Sequence, residues 1–264
     1  SNLPDRQGTY DSTFALPPLV LQAYTYDNAY PVRGDNPGPF LWRSGMMGAW
    51  QIDPTNTKIW TDDDRECAKR NAQVYKEWIR PLLKDVKVHH ILPRPDGKHW
   101  DGMFHWSASL KRGTLYIFRP DAEENAMAIK LKGLDTGKSY WVWSEDGSVA
   151  AAERKGADLM QPGIDVALPQ RYACDLVYVQ DAELGKPAGL DAPGAFKLGK
   201  VDVSSDAFTV SATAEWNPSA NARTYRVSVS DTSDFAATLA SKTVSASSVV
   251  FMKLPPGRKL YWRV

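Results

Sequence analysis

The sequence predicts a mainly β protein: an antiparallel β-sandwich over residues 86–182, a strand and a long helix before it, and a second β-domain over residues 197–264. Three observations carry this. From Val86 onward the chain breaks into short alternating or apolar runs separated by Gly, Pro and Asp, the pattern of half-buried strands and turns. Before them stands one segment with apolar residues at 3.6-residue spacing, which marks an amphipathic helix. Between the two groups of strands lies "AELGKPAGLDAPGAF", a Gly/Pro/Ala-rich stretch that reads as a linker over 183–196.

Taken in order, residues 1–60 are rich in Pro, Gly and aromatics, with an apolar patch "FALPPLVLQAY" and a loop-like "PVRGDNPGPF". The short apolar "SGMMGAW" then reads as a buried strand. Thr61 followed by Asp62, Asp63 and Asp64 is a helix start, because the hydroxyl caps free amides and the carboxylates oppose the positive end of the dipole. Ala68, Ala72, Tyr75, Ile79 and Leu82 extend that helix over 62–84. The strand candidates that follow are "VHHIL", "TLYIFRP", "AMAIKLKGL", "SYWVWSEDGS", "IDVALP" and "CDLVYVQ", ending near 181. Beyond the linker, Phe208, Val210, Ala212, Ala214 and Trp216 alternate, as do Tyr225, Val227 and Val229.

A length of 264 residues suits two ordinary domains. Thirty-two basic against 31 acidic side chains give a formal charge of +1, which offers no footprint for nucleic acid or an anionic membrane and points to a neutral ligand. Ten Trp and 11 Tyr suit cores, interfaces and sugar rings alike. Cys67 and Cys174 form neither a disulfide framework nor a zinc spacing. No apolar run approaches the ~18 residues of a membrane span, and "SNLPDRQGTY" lacks the pattern of a leader, so a soluble chain is expected.

The run "WRSGMMGAWQID", the capped helix, "YKEWIRPLLKD", "HHILPRPDGKHWDGM", "GTLYIFRP" and the distal "LKGLDTGKSYWVWSEDGS…GADLMQPGIDVALP…CDLVYV" resemble, in this order, the C-terminal part of α-galactosidase-like (melibiase-type) glycoside hydrolases. The resemblance covers roughly residues 40–181. It implies that residues 1–85 are the C-terminal remnant of a (β/α)₈ catalytic barrel, with 43–50 its final strand and 62–84 its final helix, and that 86–182 is the β-sandwich that follows the barrel. Residues 197–264 resemble a fibronectin type III domain through Trp216, "TYRVSVS" and "LPPGRKLYWRV". The usual corner tyrosine position holds Leu260, with Tyr261 beside it, and the last strand of that pattern is missing. The chain is therefore expected to be a fragment of a larger multidomain protein, secreted or periplasmic.

Retaining glycosidases use two carboxylates about 5 Å apart, and the resemblance puts both on middle barrel strands upstream of this sequence. No catalytic residue and no cofactor is then expected here. What remains is the rim at the C-terminal end of the last barrel strand: Trp50, Gln51 and Asp53, with Asp35, Trp42 and Arg43 entering from the preceding loop and strand. Trp42, Arg43, Trp50 and Asp53 are the candidate carbohydrate contacts. The competing reading packs the two tryptophans beneath the barrel and pairs Arg43 with a carboxylate. Asp62, Asp63, Asp64 and Glu66 lack the Gly and distal Glu of a calcium loop. His89, His90, His99 and His105 read as structural, and no metal site is expected. A stand-alone carbohydrate-binding sandwich is the alternative, with Trp100, Trp106, Trp141 and Trp143 as stacking platforms. The densest stretch, "PDGKHWDGMFHW" over 95–106, reads as a turn and a strand, with Asp96 and Asp101 serving local turns at Gly97 and Gly102.

Overall fold

A computed structural model describes residues 3–26, 38–53, 58, 60–190, 196–205, 210–219, 222, 225–235, 238–244 and 246–264. Among the described residues strands take 39% and helices 21%, so the mainly β expectation holds. Two compact units divide it, residues 1–186 and 187–264.

Unit 1 opens with α1 (Leu3–Ser12), β1 (Gln22–Tyr26), α2 (Gly38–Ser44) and β2 (Ala49–Asp53). β1 and β2 pair in parallel, with Tyr24 opposite Gln51. Parallel neighbours need a crossover, and α2 lies within it, so this region is a β-α-β unit. α3 (Asp62–Val74) follows, capped by Thr61, whose hydroxyl accepts from the Asp64 amide while Asp64 accepts from the Thr61 amide. The helix then passes through a π-helical turn, Tyr75–Ile79, into a last turn at Arg80–Leu82. Pro81 explains this. It has no N–H, and its ring would strike the carbonyl four residues back in a regular helix. The widened turn, with the Arg80 amide bonded to the Tyr75 carbonyl, absorbs both problems.

The strand expected at 43–50 is absent. Trp42, Arg43 and Ser44 end α2, residues 45–47 turn, and the strand occupies 49–53. Pro39 at the start of α2 is suited to a first helical turn, whereas a short apolar run such as "SGMMG" carries no period that tells strand from turn.

The rest of unit 1 comprises β3 (Lys87–His89), β4 (Asp101–Ser107), β5 (Arg112–Arg119), β6 (Ala126–Ile129), β7 (Ser139–Ser144), β8 (Ala152–Lys155), β9 (Ile164–Ala167) and β10 (Ala173–Asp181). Six form one sheet in the order β3-β4-β5-β10-β7-β8, and β6 pairs with β9 in a small second sheet. The core between them holds Phe104, Trp106, Leu115, Ile117, Ile129, Val142, Ile164, Val177 and Val179. Arg119 closes one end of this sandwich by donating to the carbonyls of Leu168, Pro169, Ala122 and Glu123.

The other face of the large sheet is covered as well. Phe40 of α2 meets Phe118 edge-on at 5.3 Å, Trp78 meets Trp143 and Tyr178 at 5.3 and 5.1 Å, and Tyr116 donates to the Met46 carbonyl. All seven residues of β4 are buried, because each face of the sheet has its own cover. The helical layer and the sandwich thus share one sheet.

Unit 2 comprises β11 (Leu198–Ser205), β12 (Val210–Trp216), β13 (Tyr225–Ser230), β14 (Ala240–Val244), β15 (Ser248–Leu254) and β16 (Tyr261–Arg263). They form two three-stranded antiparallel sheets, β11-β12-β15 and β14-β13-β16. Trp216, Tyr225, Val227, Val229 and Phe251 make its core. Phe208, in the expected alternation, lies outside the described residues.

Candidate functional site

The place where chemistry collects in a parallel β-α arrangement is the C-terminal end of its strands. Here those ends are Thr25–Tyr26 and Ile52–Asp53. The segments that follow, 27–37 and 54–57, lie outside the described residues, and Asp35 lies with them.

The two strands present contrasting faces. Ala23 and Thr25 are buried toward the helices, and the Trp50 indole donates to the Thr25 hydroxyl at 2.9 Å. The Trp50 main-chain amide donates to the Tyr75 hydroxyl at 2.9 Å, and that hydroxyl donates to the Gly48 carbonyl at 3.0 Å. Tyr75 therefore fixes the start of β2 from the π-helical turn. On the opposite face Gln22 and Gln51 are exposed and Tyr24 is half-buried, its hydroxyl donating to the Gln22 side chain at 2.6 Å. Sequence reasoning missed Gln22 and Tyr24. The alternation in "QAYTY" was the available signal, obscured by the apolar patch before it.

The four predicted rim residues separate into two settings. Trp42 is buried with Leu41 and Ala68, edge-on to Trp50 at 6.1 Å and to Trp60 at 5.3 Å. Arg43 is buried beside it, facing the large sheet instead of the strand ends. Its Nε donates to Asn71, and one terminal nitrogen reaches Asp146 at 2.5 Å, the Cys174 carbonyl at 3.3 Å and Asp175 at 3.7 Å. Trp50 is half-buried, and Asp53 ends β2.

Asp146 and Asp175 form the only carboxylate pair among the described residues that shares one buried arginine, so a glycosidase-like role has to be weighed. Burial pushes Asp146 up, yet Arg43 and Arg70 together hold it down at about 2. Asp175 is raised, first by burial and then by the charge of Asp146. Divergent pKa values of this kind also mark acid/base pairs. Here, however, the oxygens of Asp175 accept from the amides of Asp146, Ser148 and Leu176. Arg70 binds both Asp146 and Glu145, and Glu145 accepts from Tyr178. These carboxylates are engaged by arginines, main-chain amides and a tyrosine of the protein itself, so this network clamps α2 and α3 to the sheet.

Cys67 and Cys174 are free thiols, pushed up to about 11 and about 12 by burial. Three of the four proposed stacking tryptophans, Trp100, Trp106 and Trp143, are buried in unit 1. That corrects the platform reading for these three rings, which are packed inside unit 1 and not open to a sugar. Trp141 is half-buried beneath the Lys186 ammonium, 5.6 Å from its ring centre.

In the 95–106 stretch, Asp96 does serve a turn, accepting from the Lys98 and His99 amides. Asp101 does not. It is buried and receives both arms of Arg6 at 2.9 and 3.0 Å, and Gly102 lies within β4, where a Cβ would strike the Tyr116 carbonyl. Among the described residues no group of three His, Cys, Asp or Glu is placed to hold a metal. Among the described residues no helix is long and apolar enough to cross a membrane.

No family model matches the chain, and no curated protein matches its sequence. Its fold does match solved structures. The galactosidase domain of the α-galactosidase-sucrose kinase AgaSK superposes with a TM-score of 0.58 at 15% identity, over 69% of this chain and 25% of that one. The GH36 α-galactosidase AgaB from Geobacillus stearothermophilus gives 0.55 at 19% identity, over 69% and 24%. The α-galactosidase from Lactobacillus brevis gives 0.54 at 14%, over 65% and 24%. The chain thus spans about a quarter of the length of these proteins, on their C-terminal side.

Proposed function

We propose that this chain is the non-catalytic C-terminal portion of a secreted or periplasmic glycoside hydrolase acting on α-linked sugars, most simply α-galactosides, and that it closes and braces the catalytic barrel. One observation carries the reading. A parallel β-α-β-α segment runs directly into an antiparallel sandwich and shares its sheet, an arrangement that superposes on the C-terminal quarter of solved GH36 α-galactosidases. Relatives solved with stachyose and raffinose support a carbohydrate as the ligand. Two parallel strands are far short of the eight a barrel needs, so the catalytic carboxylates belong to residues outside this chain. Unit 2 acts as a type III-like spacer.

Within this reading Asp53 and Gln51, at the C-terminal end of β2, contact sugar. Trp50 sets their strand, and Trp42 and Arg43 position it from beneath. The test is to produce the natural polypeptide with its upstream sequence and assay nitrophenyl α-galactoside and α-glucoside. Hydrolysis by the longer protein and none by residues 1–264 is expected, with Asp53→Ala raising KM. Turnover by 1–264 alone, or a parent gene encoding no barrel with two convergent carboxylates, overturns it.

A further inference from the structure

Beyond Trp78, which lies edge-on to Trp143 and Tyr178, the large sheet of unit 1 carries one more row of side chains on its helix-facing side. Arg112, Gln180, Trp141 and Glu153 are successive cross-strand partners on β5, β10, β7 and β8. Trp141 and Gln180 stand two positions from Trp143 and Tyr178 and so share their face. Over this row runs the segment that leaves β10. The Gln180 side-chain amide donates to the Gly185 carbonyl at 3.0 Å, and the Lys186 ammonium stands 5.6 Å from the centre of the Trp141 ring. Trp100, Trp106 and Trp143 are buried, whereas Trp141 is only half-buried and Glu153 and Lys186 are exposed. At the other end of the row Arg112 donates to Gln180 at 2.9 Å and lies over the Trp78 ring.

We propose that Trp141 is the platform of a binding subsite for a neutral pyranose, with the Glu153 carboxylate beside it as a hydroxyl acceptor and the Lys186 side chain as a displaceable cover. The indole face is electron-rich, which is why it holds an ammonium. The polarised C–H bonds on one face of a sugar ring are drawn to it in the same way. A single ammonium at 5.6 Å on an exposed side chain is a weak hold, and a sugar that brings a whole ring face to the indole displaces it. Glu153 lies directly opposite Trp141 in the antiparallel pair, its Cβ about 5 Å away, within reach of the hydroxyls at the edge of a stacked ring. The same carboxylate disfavours an acidic sugar. Shape disfavours an apolar ligand, since such ligands take concave pockets and this row is a sheet surface with a charge at each end. Gln180, engaged by Arg112 on one side and by Gly185 on the other, keeps the strap and the platform in register. The inference uses only strands of the sandwich and stands independently of the hydrolase reading.

The experiment is a titration of residues 1–264 with methyl α-galactoside and methyl α-glucoside. It is followed by proton–nitrogen correlation NMR at the indole N–H of Trp141, assigned by its absence from Trp141→Ala. A saturable shift of that signal in the millimolar range is expected. Lys186→Ala is expected to tighten binding about two- to fivefold, the worth of an exposed cation–π contact. Glu153→Ala is expected to weaken it about tenfold. Both positions are exposed, and circular dichroism checks that the variants keep the fold. A Trp141 signal that stays unmoved up to about 100 mM sugar overturns the inference. Weaker binding by Lys186→Ala also overturns it, since the ammonium would then be a ligand and not a cover, as does tighter binding of glucuronate than of either methyl glycoside.

Discussion

Asp101 and Arg6 stand 95 positions apart and meet as a doubly hydrogen-bonded pair with side chains almost fully buried. Phe40 and Phe118, edge-on to each other, both lie against the guanidinium, each ring centre 4.8 Å away, so neither charge has water to fall back on. Removing one member of such a pair costs about 3–5 kcal/mol, while replacing both by apolar groups is close to neutral. Asp101→Asn is therefore expected to lower urea-unfolding stability at pH 7.5 by that amount, and Arg6→Met with Asp101→Leu to recover most of it. Equal losses in the single and double variants would contradict the pairing. His105 makes the opposite case. It is fully buried on the same face of β4, edge-on to Tyr116 at 4.9 Å, and neither ring nitrogen meets a protein hydrogen-bonding group. Burial, aided by the charges of His90 and His89, lowers its pKa to about 3. A base depressed on folding contributes stability that is present above its unfolded pKa near 6.5 and is lost as pH falls toward 3. The gap amounts to on the order of 5 kcal/mol. His105→Phe is expected to be at least as stable as the parent at pH 7.5 and to lose less stability between pH 7 and pH 4; parallel pH profiles would refute this.

At the scale of elements, α3 shows the difference between a local signal and a tertiary one. Its start was legible because the Thr61–Asp64 box is made by residues three apart. Its π-helical turn was not, since the apolar spacing runs unbroken through Tyr75, Ile79 and Leu82 and only Pro81 hints at a defect. That turn aims the Tyr75 hydroxyl at two main-chain groups of the turn and strand beside it. Tyr75→Phe leaves a half-buried amide and a buried carbonyl without that partner, a cost of about 1–3 kcal/mol. Thr61→Ala removes an exposed cap worth about 1 kcal/mol or less. The expected order, Tyr75→Phe more damaging than Thr61→Ala by urea unfolding, with only the former shifting the emission of Trp50, fails if the two cost the same. The sandwich strands were legible for the same local reason: "TLYIFRP" and "CDLVYVQ" are apolar runs bounded by turn residues, and they became β5 and β10. α1, β1 and α2 were not. "LPDRQGTYDS" has no apolar stripe, and α1 is held by long-range polar contacts, Arg6 to Asp101, Gln7 to the Pro95 carbonyl and Tyr10 to the Leu92 carbonyl. At the candidate site the sequence marked Trp50 and Asp53 near the strand end but put Arg43 at the start of a strand and Trp42 just before it, where the structure has α2. Nothing within forty residues of Arg43 announces Asp146 or Asp175.

For unit 1 as a whole, the sheet shared by helices and sandwich decides what is separable. A resemblance read along the sequence divides the chain at residue 85, between barrel remnant and sandwich. The packing does not respect that line. Met103, His105, Tyr116, Phe118, Leu176 and Tyr178 are buried on the helix-facing side of strands that all follow residue 85, and their cover comes from Phe40, Arg43, Trp78 and the α1 segment, all of which precede it. Deleting residues 1–85 would bare a contiguous apolar sheet face carrying a row of aromatics, together with Asp101 and Asp175 stripped of Arg6 and Arg43. An exposed apolar patch of that extent is an aggregation site. Residues 86–264 alone are therefore expected to bind anilinonaphthalene sulfonate strongly and to elute as aggregates, whereas residues 1–264 bind it weakly. A monomeric, dye-silent 86–264 with the near-ultraviolet dichroism of the intact chain would mean that the sandwich is a self-sufficient domain and the helices an appendage. The burial on both faces of β4, β5 and β10 argues for the first outcome, since strands covered on one face only would leave alternate residues exposed, and in these three strands no residue is exposed.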